Sequence, residues 1–128
     1  MASILLIDDS TVVHSVVEAT LRTQGHMVES ALDLKAGMKA LRQTSFDLIL
    51  MDLNMPEVRG EAGIKMMRQR LHLETPIIIL SGEITVETVL SMKPLGVSGF
   101  VAKGEDFETR LVQEIAGVLP EPLPPDLL

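Results

Sequence analysis

Residues 46–56 read Phe46-Asp47-Leu48-Ile49-Leu50-Met51-Asp52-Leu53-Asn54-Met55-Pro56. Leu48 to Met51 is an unbroken apolar run, the mark of a strand buried on both faces. The run stops on Asp52, and a carboxylate is rarely buried without a partner. Asn54 and Pro56 force a loop directly afterwards, because proline lacks an N–H and turns the residue before it away from helix. The sequence therefore delivers one carboxylate to the carboxyl end of a core strand. Asp52 either caps a strand-to-loop turn or belongs to a site, and this stretch alone leaves both open.

Before this strand the chain carries a second apolar run, Ser3 to Ile7, ending on Asp8-Asp9. Ser10 or Thr11 then opens a helix whose apolar stripe is Val13, Val16, Val17, Thr20 and Leu21, stopped by Gly25. His26 to Ala31 predicts an edge strand. Asp33 to Gln43 predicts a helix with Leu34, Met38 and Leu41 on one face. After Asp52, a helix is expected over Glu61 to Leu73, facing inward with Ile64, Met67 and Leu71. Pro76 to Ser81 is the most apolar strand, and Thr85 to Met92 a weaker helix stopped by Pro94 and Gly96. Gly99 to Lys103 predicts a short strand ending on Lys103. Glu105 to Leu119 predicts a last helix with the stripe Phe107, Leu111, Ile115 and Val118.

Strand followed by helix, five times over, implies an α/β fold: a parallel sheet with helices on both faces and right-handed connections. The 128 residues suit one domain, and a chain of this length buries enough apolar surface to need no staple. Cysteine is absent, which removes thiol chemistry and disulfides. The net charge of -7 argues against nucleic acid as a direct partner. No apolar run approaches a membrane span, and the amino-terminal residues lack the basic region of a signal peptide, so a cytoplasmic protein is expected by elimination. Residues 120–128 hold four of the seven prolines and are expected to be an extended tail or the start of a linker, with 1–119 as the domain. That end fits either a complete small protein or a piece of a longer one.

The residues at the carboxyl ends of the apolar strands are Asp8 and Asp9, Asp52, Ser81 and Lys103. In open parallel sheets ligands bind outside these ends, where the winding direction reverses. With strand order 2-1-3-4-5, that point lies between the first and third strands, and Asp8, Asp9 and Asp52 meet there. Three bare carboxylates repel strongly. A hard divalent cation relieves the repulsion, and Mg²⁺ is the expected choice. A hydroxyl and an ammonium beside such a metal supply the charge neutralisation and positioning that phosphoryl transfer requires, and an aspartate can itself be the nucleophile. Each piece alone has a plainer explanation: a helix N-terminus, a turn, a solvated lysine. Their joint occurrence at every apolar strand end favours the site.

In these residues the sequence resembles the receiver domains of bacterial two-component response regulators, nearest in pattern to the single-domain chemotaxis type with its flavodoxin-like fold. The matching pieces are Leu6-Ile7-Asp8-Asp9-Ser10, Met51 to Pro56 with Gly60, Pro76 to Ser81, and Phe100 with Lys103, within residues 3–119. The resemblance implies that Asp52 is the phosphoacceptor. It implies that Asp9, Asp52 and the main-chain carbonyl of Asn54 hold Mg²⁺, with Asp8 acting through water. Lys103 would pair with phosphoryl oxygens, Ser81 would move toward the phosphoryl group, and Phe100 would turn inward as the switch aromatic. Asn54 and Glu83 would flank the water that removes the phosphoryl group. The implied partners are a sensor histidine kinase or phosphotransfer protein, and a downstream target or carboxyl-terminal output domain, with neither nucleic acid nor membrane. The domain would be no enzyme beyond its own phosphorylation and dephosphorylation. Gly104 departs from the family's usual proline after the lysine, which predicts a trans Lys103–Gly104 bond. Arg59 stands where an acidic or amide residue is common.

Two other readings compete. A haloacid-dehalogenase-type phosphatase also forms an aspartyl phosphate, but has Asp-x-Asp after its first strand and usually a cap insertion. A receiver-like module that is never phosphorylated typically lacks one of the acidic residues or the lysine, and none is lost here.

Overall fold

Five parallel strands form one sheet in the order β2-β1-β3-β4-β5. They are β1 (Ser3–Ile7), β2 (Met27–Ala31), β3 (Leu48–Asp52), β4 (Ile77–Ser81) and β5 (Val97–Ala102). The helices between and after them are α1 (Thr11–Thr23), α2 (Leu34–Gln43), α3 (Gly60–Arg70), α4 (Val86–Met92) and α5 (Phe107–Val118). The structure, a computed structural model, describes residues 1–56 and 59–119. The expected tail at 120–128, and with it the boundary after 119, lies outside the described residues.

Side chains alternate across a strand, so each central strand feeds two cores. Leu5, Ile7, Ile49, Met51, Ile77 and Ile79 point to one face, where Leu34, Met38 and Leu41 of α2 and Ile64 and Met67 of α3 cover them. Ile4, Leu6, Leu48, Leu50, Ile78 and Leu80 point to the other, against Val17 and Leu21 of α1 and Phe107, Leu111 and Ile115 of α5. The central strands β3 and β4 are buried along their whole length. This is why they are continuous apolar runs rather than alternating ones. The edge strand β2 is largely exposed, in keeping with its mixed sequence.

The helix ends follow local chemistry. Ser10 and Asp33 cap α1 and α2, accepting bonds from the N–H groups of Val13 and Ala36 at 3.2 and 2.7 Å. Gly25 follows α1 at φ 81°, the left-handed position that favours glycine. Several boundaries differ from the sequence expectation, among them the start of α5, at Phe107 rather than Glu105. Helix α3 starts at Gly60 and ends at Arg70, with Leu71 as its cap. Helix α4 passes into a 3-10 turn, Lys93–Leu95, because Pro94 fits a first turn where no N–H is needed. Strand β5 begins at Val97, so the turn before it is shorter than expected. The buried stripe of α1 is His14, Val17 and Leu21, with Val13 and Val16 only half-buried beside it. Among the described residues no peptide bond is cis, so Lys103–Gly104 is trans as predicted.

One side chain ties the α3–β4 connection to the α4–β5 connection. The half-buried guanidinium of Arg68 donates to the carbonyls of Leu73, Thr75, Leu95 and Gly96 at 2.8–3.1 Å. Burial lowers its pKa, opposed by the charge of Glu74, but a guanidinium stays protonated in proteins. Arg68→Met keeps the apolar stem and removes every donor. Hydrogen bonds from a charged group contribute about 1.5–3 kcal/mol each when buried, and water replaces part of that here, so a loss of about 2 kcal/mol is expected. A urea midpoint unchanged from wild type would show that the two connections are held by packing alone.

Candidate functional site

The register of β1 on β3 pairs Ile7 with Met51. One residue further along each strand, Asp8 comes beside Asp52. Both are buried, at 0% and 4% exposure, which leaves two carboxylates poorly solvated. The backbone continues the sheet around them. The Asp8 N–H donates to the Ala31 carbonyl at 3.1 Å, and the Lys103 N–H donates to the Ser81 carbonyl at 2.7 Å. Lys103 thus leaves the end of β5 directed over β4 toward β3 and β1. Its Nζ lies 2.8 Å from Asp8 Oδ2 and 3.2 Å from Asp52 Oδ1.

The turns after each strand complete the arrangement. Asp8 Oδ1 accepts the Ser10 N–H at 2.9 Å, and Asp52 Oδ1 accepts the Asn54 N–H at 3.2 Å. Burial and the Asp8 charge raise the Asp52 pKa, against the lowering effects of the Asn54 N–H and of Lys103. Burial disfavours the Lys103 ammonium, but the hydrogen bond and charge of Asp8, with Asp52, outweigh it and raise its pKa. The exposed Asp9 completes a group in which one carboxylate oxygen from each of Asp8, Asp9 and Asp52 lies within 4.8 Å of the others. Oxygen ligands alone, converging from three carboxylates, suit a hard cation such as Mg²⁺. Asp8 Oδ2 supports this: it is fully buried and, among the described residues, has no hydrogen-bond partner besides its ion pair with the Lys103 ammonium.

Ser81 closes the site beside β3. Its hydroxyl donates to the Glu83 carbonyl at 2.9 Å and receives the Glu83 N–H at 3.4 Å. The Asn54 side-chain amide reaches the same hydroxyl at 3.5 Å. Phe100, on β5 beside Ile79, is half-buried and packs against the α2–α3 core.

The sequence profile of the response regulator receiver domain matches residues 4–116. The chain belongs to the response regulator receiver domain family. Members accept a phosphoryl group on an aspartate from a histidine kinase in two-component systems. The solved Vibrio cholerae chemotaxis protein CheY4 superposes with a TM-score of 0.86 at 31% identity, covering 93% of this chain and 99% of that one. The CAI-1 autoinducer sensor kinase/phosphatase CqsS of Vibrio cholerae is 29% identical over 117 residues, 90% of this chain but 17% of CqsS. The transcriptional regulatory protein ZraR of Escherichia coli strain K12 is 30% identical over 105 residues, 82% of this chain and 24% of ZraR. The receiver domain thus spans less than a quarter of each of these two relatives.

The structure brings together Asp8, Asp9, Asp52 and Lys103 as one group, with Ser81, Asn54 and the Glu83 backbone as a second group touching it through Asn54. Phe100 stands apart on β5. No helix among the described residues is long and apolar enough to cross a membrane. His14 was missed by the sequence reading, although its Nε2 lies 2.6 Å from the Asp8 carbonyl. The available signal was its spacing, three residues before Val17 and seven before Leu21 on the inward face.

The Lys103 ammonium supplies the positive charge nearest the carboxylates. Removing one partner of a buried ion pair costs about 3–5 kcal/mol, and the 23% exposure of the Lys103 side chain reduces that here to about 2 kcal/mol. Lys103→Met is therefore expected to unfold at lower urea in metal-free buffer. Added Mg²⁺ should stabilise the variant more than wild type, because it then meets carboxylates with no competing cation. Equal Mg²⁺ stabilisation of both proteins would rule out the competition.

Proposed function

We propose that this receiver domain is a phosphorylation switch whose acceptor is Asp52. The observation that carries the reading is the convergence of the Asp8 and Asp52 carboxylates on the Lys103 ammonium at the carboxyl ends of β1, β3 and β5. The donor is the phosphohistidine of a sensor kinase or phosphotransfer protein. An Asp52 oxygen attacks phosphorus, an O–P bond forms, and the N–P bond breaks with its electron pair returning to the imidazole. Among the described residues every polar contact of Asp52 falls on Oδ1, which leaves Oδ2 to attack. A carboxylate kept basic by burial and by Asp8 is the better nucleophile.

Asp9, Asp52 and the Asn54 carbonyl would hold Mg²⁺, with Asp8 acting through water. When bound, the ion supplies positive charge against the phosphoryl oxygens. Lys103 exchanges the carboxylates for those oxygens. Ser81 gives up the Glu83 carbonyl for the phosphoryl group, and Phe100 turns into the space that this opens. The altered face then engages a downstream protein or an output domain. In this reading residues 1–119 form the switch and residues 120–128 a tail or linker. The donor chemistry belongs to the cytoplasm, where ATP phosphorylates the kinase. The domain catalyses only its own phosphorylation and dephosphorylation.

Acetyl phosphate with Mg²⁺, followed by intact mass, tests the assignment. Wild type should gain one phosphoryl group and Asp52→Asn none. A phosphoryl group on the folded variant would place the acceptor elsewhere.

Loss of the phosphoryl group requires water in line with the Asp52 oxygen. Asn54 and Glu83 flank that approach, and neither is a bulky or cationic plug, so rapid reset follows. Asn54→Arg should lengthen the life of the phosphorylated form about tenfold, since misplacing a reacting water by an ångström can cost more than that. Decay of purified phosphoprotein measures it. Wild-type decay in both Asn54→Arg and Glu83→Ala would show that these positions do not gate hydrolysis.

A further inference from the structure

The inner face of α1 contributes a polar side chain that the proposed reaction does not use. His14 is buried, with 6% of its surface exposed, and its Nε2 lies 2.6 Å from the Asp8 carbonyl oxygen. A carbonyl oxygen only accepts, so the ring donates there and carries a proton on Nε2. The other ring nitrogen, Nδ1, is buried and without a hydrogen-bond partner among the described residues. Burying an imidazole with one nitrogen unsatisfied costs free energy. Methionine or leucine would fill the same space without that cost, so packing alone does not account for a histidine. What the imidazole adds is its bond to Asp8.

That bond acts on a particular peptide. The Asp8 carbonyl belongs to the planar unit joining Asp8 to Asp9, so fixing its oxygen fixes the direction in which the chain enters Asp9. None of the other contacts of Asp8 among the described residues engages this carbonyl oxygen, although the Ser10 bond to its side chain closes a turn across the Asp8–Asp9 peptide. The Asp8 N–H is held by Ala31, and its side chain by Ser10 and Lys103. Asp9 is exposed, and no hydrogen bond or ion pair among the described residues holds its carboxylate. The placement of Asp9 near Asp8 and Asp52 therefore depends on the backbone that delivers it.

We infer that His14 is a positioning residue: its Nε2–H locks the Asp8–Asp9 peptide and so presets the angle at which the Asp9 carboxylate meets those of Asp8 and Asp52. The inference rests on the reading of these carboxylates as a Mg²⁺ site. Groups that orient metal ligands without touching the metal typically change affinity by about 10–100-fold.

The test is Mg²⁺ titration of wild type, His14→Gln and His14→Met by calorimetry, with urea midpoints for each. Glutamine puts an amide N–H near the place of Nε2, whereas methionine fills the volume with no donor. Affinity within about twofold of wild type is expected for His14→Gln. His14→Met should bind about tenfold more weakly at a urea midpoint similar to that of His14→Gln. Nitrogen-15 NMR of the wild-type ring should show the His14 proton on Nε2 both without and with Mg²⁺. Wild-type affinity in His14→Met, equal weakening in both variants, or a neutral ring protonated on Nδ1 would each overturn the inference. Should His14→Met not fold, a tenfold loss in His14→Gln or the wrong tautomer overturns it, and their opposites support it. Failure of wild type itself to bind Mg²⁺ would overturn the metal reading and this inference with it, an outcome separate from the rest.

Discussion

Two carboxylates buried side by side form the constraint on which the rest of the site depends. Asp8 and Asp52 meet because β1 and β3 are neighbours in register, and both are almost wholly shielded from solvent. Burial first, and then their repulsion, raise the Asp52 pKa. The fold offsets the repulsion with one ammonium and two turn N–H groups, those of Ser10 and Asn54. A group assembled in this way is stable only while the balance of charge holds. Under the proposed reaction a phosphoryl group would add negative charge there and draw Lys103 and a metal toward itself.

The rigidity that holds such a group together comes from the strands beneath it. Leu48 to Met51 and Ile77 to Leu80 are sealed on both faces by helices, so the ends of β3 and β4 cannot shift singly without breaking two cores. The loops beyond them are free to differ. Asn54, Gly82 and Glu83 are exposed, and the site is therefore a fixed carboxylate pair rimmed by adjustable turns. This division suits a switch better than a pocket for a stable ligand.

Most of this was legible from the residues at the strand ends, because buried strands interrupted by a carboxylate, a serine and a lysine leave a strong trace in the pattern. The strand order came from the family resemblance rather than from hydrophobic periodicity, which is blind to which strands are neighbours. Three features escaped for distinct reasons. His14 breaks an apolar stripe, and a count of apolar residues shifts the buried face of α1 toward Val13 and Val16. Arg68 looks like a basic residue in the last turn of a surface helix until its four carbonyl partners from two distant connections are known. The reach of Lys103 across β4 to both carboxylates depends on where the chain leaves β5; the strand-end pattern puts the ammonium near the carboxylates without showing that it bridges them.

The contacts also bound how the proposed switch can work. Moving Ser81 from the Glu83 carbonyl to a phosphoryl group exchanges a neutral hydrogen bond, worth about 1 kcal/mol net, for a charge-assisted one worth about 1.5–3 kcal/mol. The gain is about 0.5–2 kcal/mol, a change of roughly 2–30-fold in the ratio of two conformations. Turning an equilibrium from 1:99 to 99:1 requires about 5.5 kcal/mol. Ser81 alone therefore cannot drive a complete transition. In the proposed switch the remainder would come largely from charge, with Lys103 and the bound ion as its sources. The aspartyl phosphate would carry about two negative charges where the Asp52 carboxylate carried one, next to an ammonium already drawn by two carboxylates. Lys103 follows β5, as Phe100 lies on it, and its N–H is bonded to the Ser81 carbonyl. A displacement of Lys103 toward the phosphoryl group thus pulls on the strand that carries the aromatic and on the residue that carries the hydroxyl. In this fold the electrostatic and hydrogen-bonding halves of the response share one backbone link, between β4 and β5.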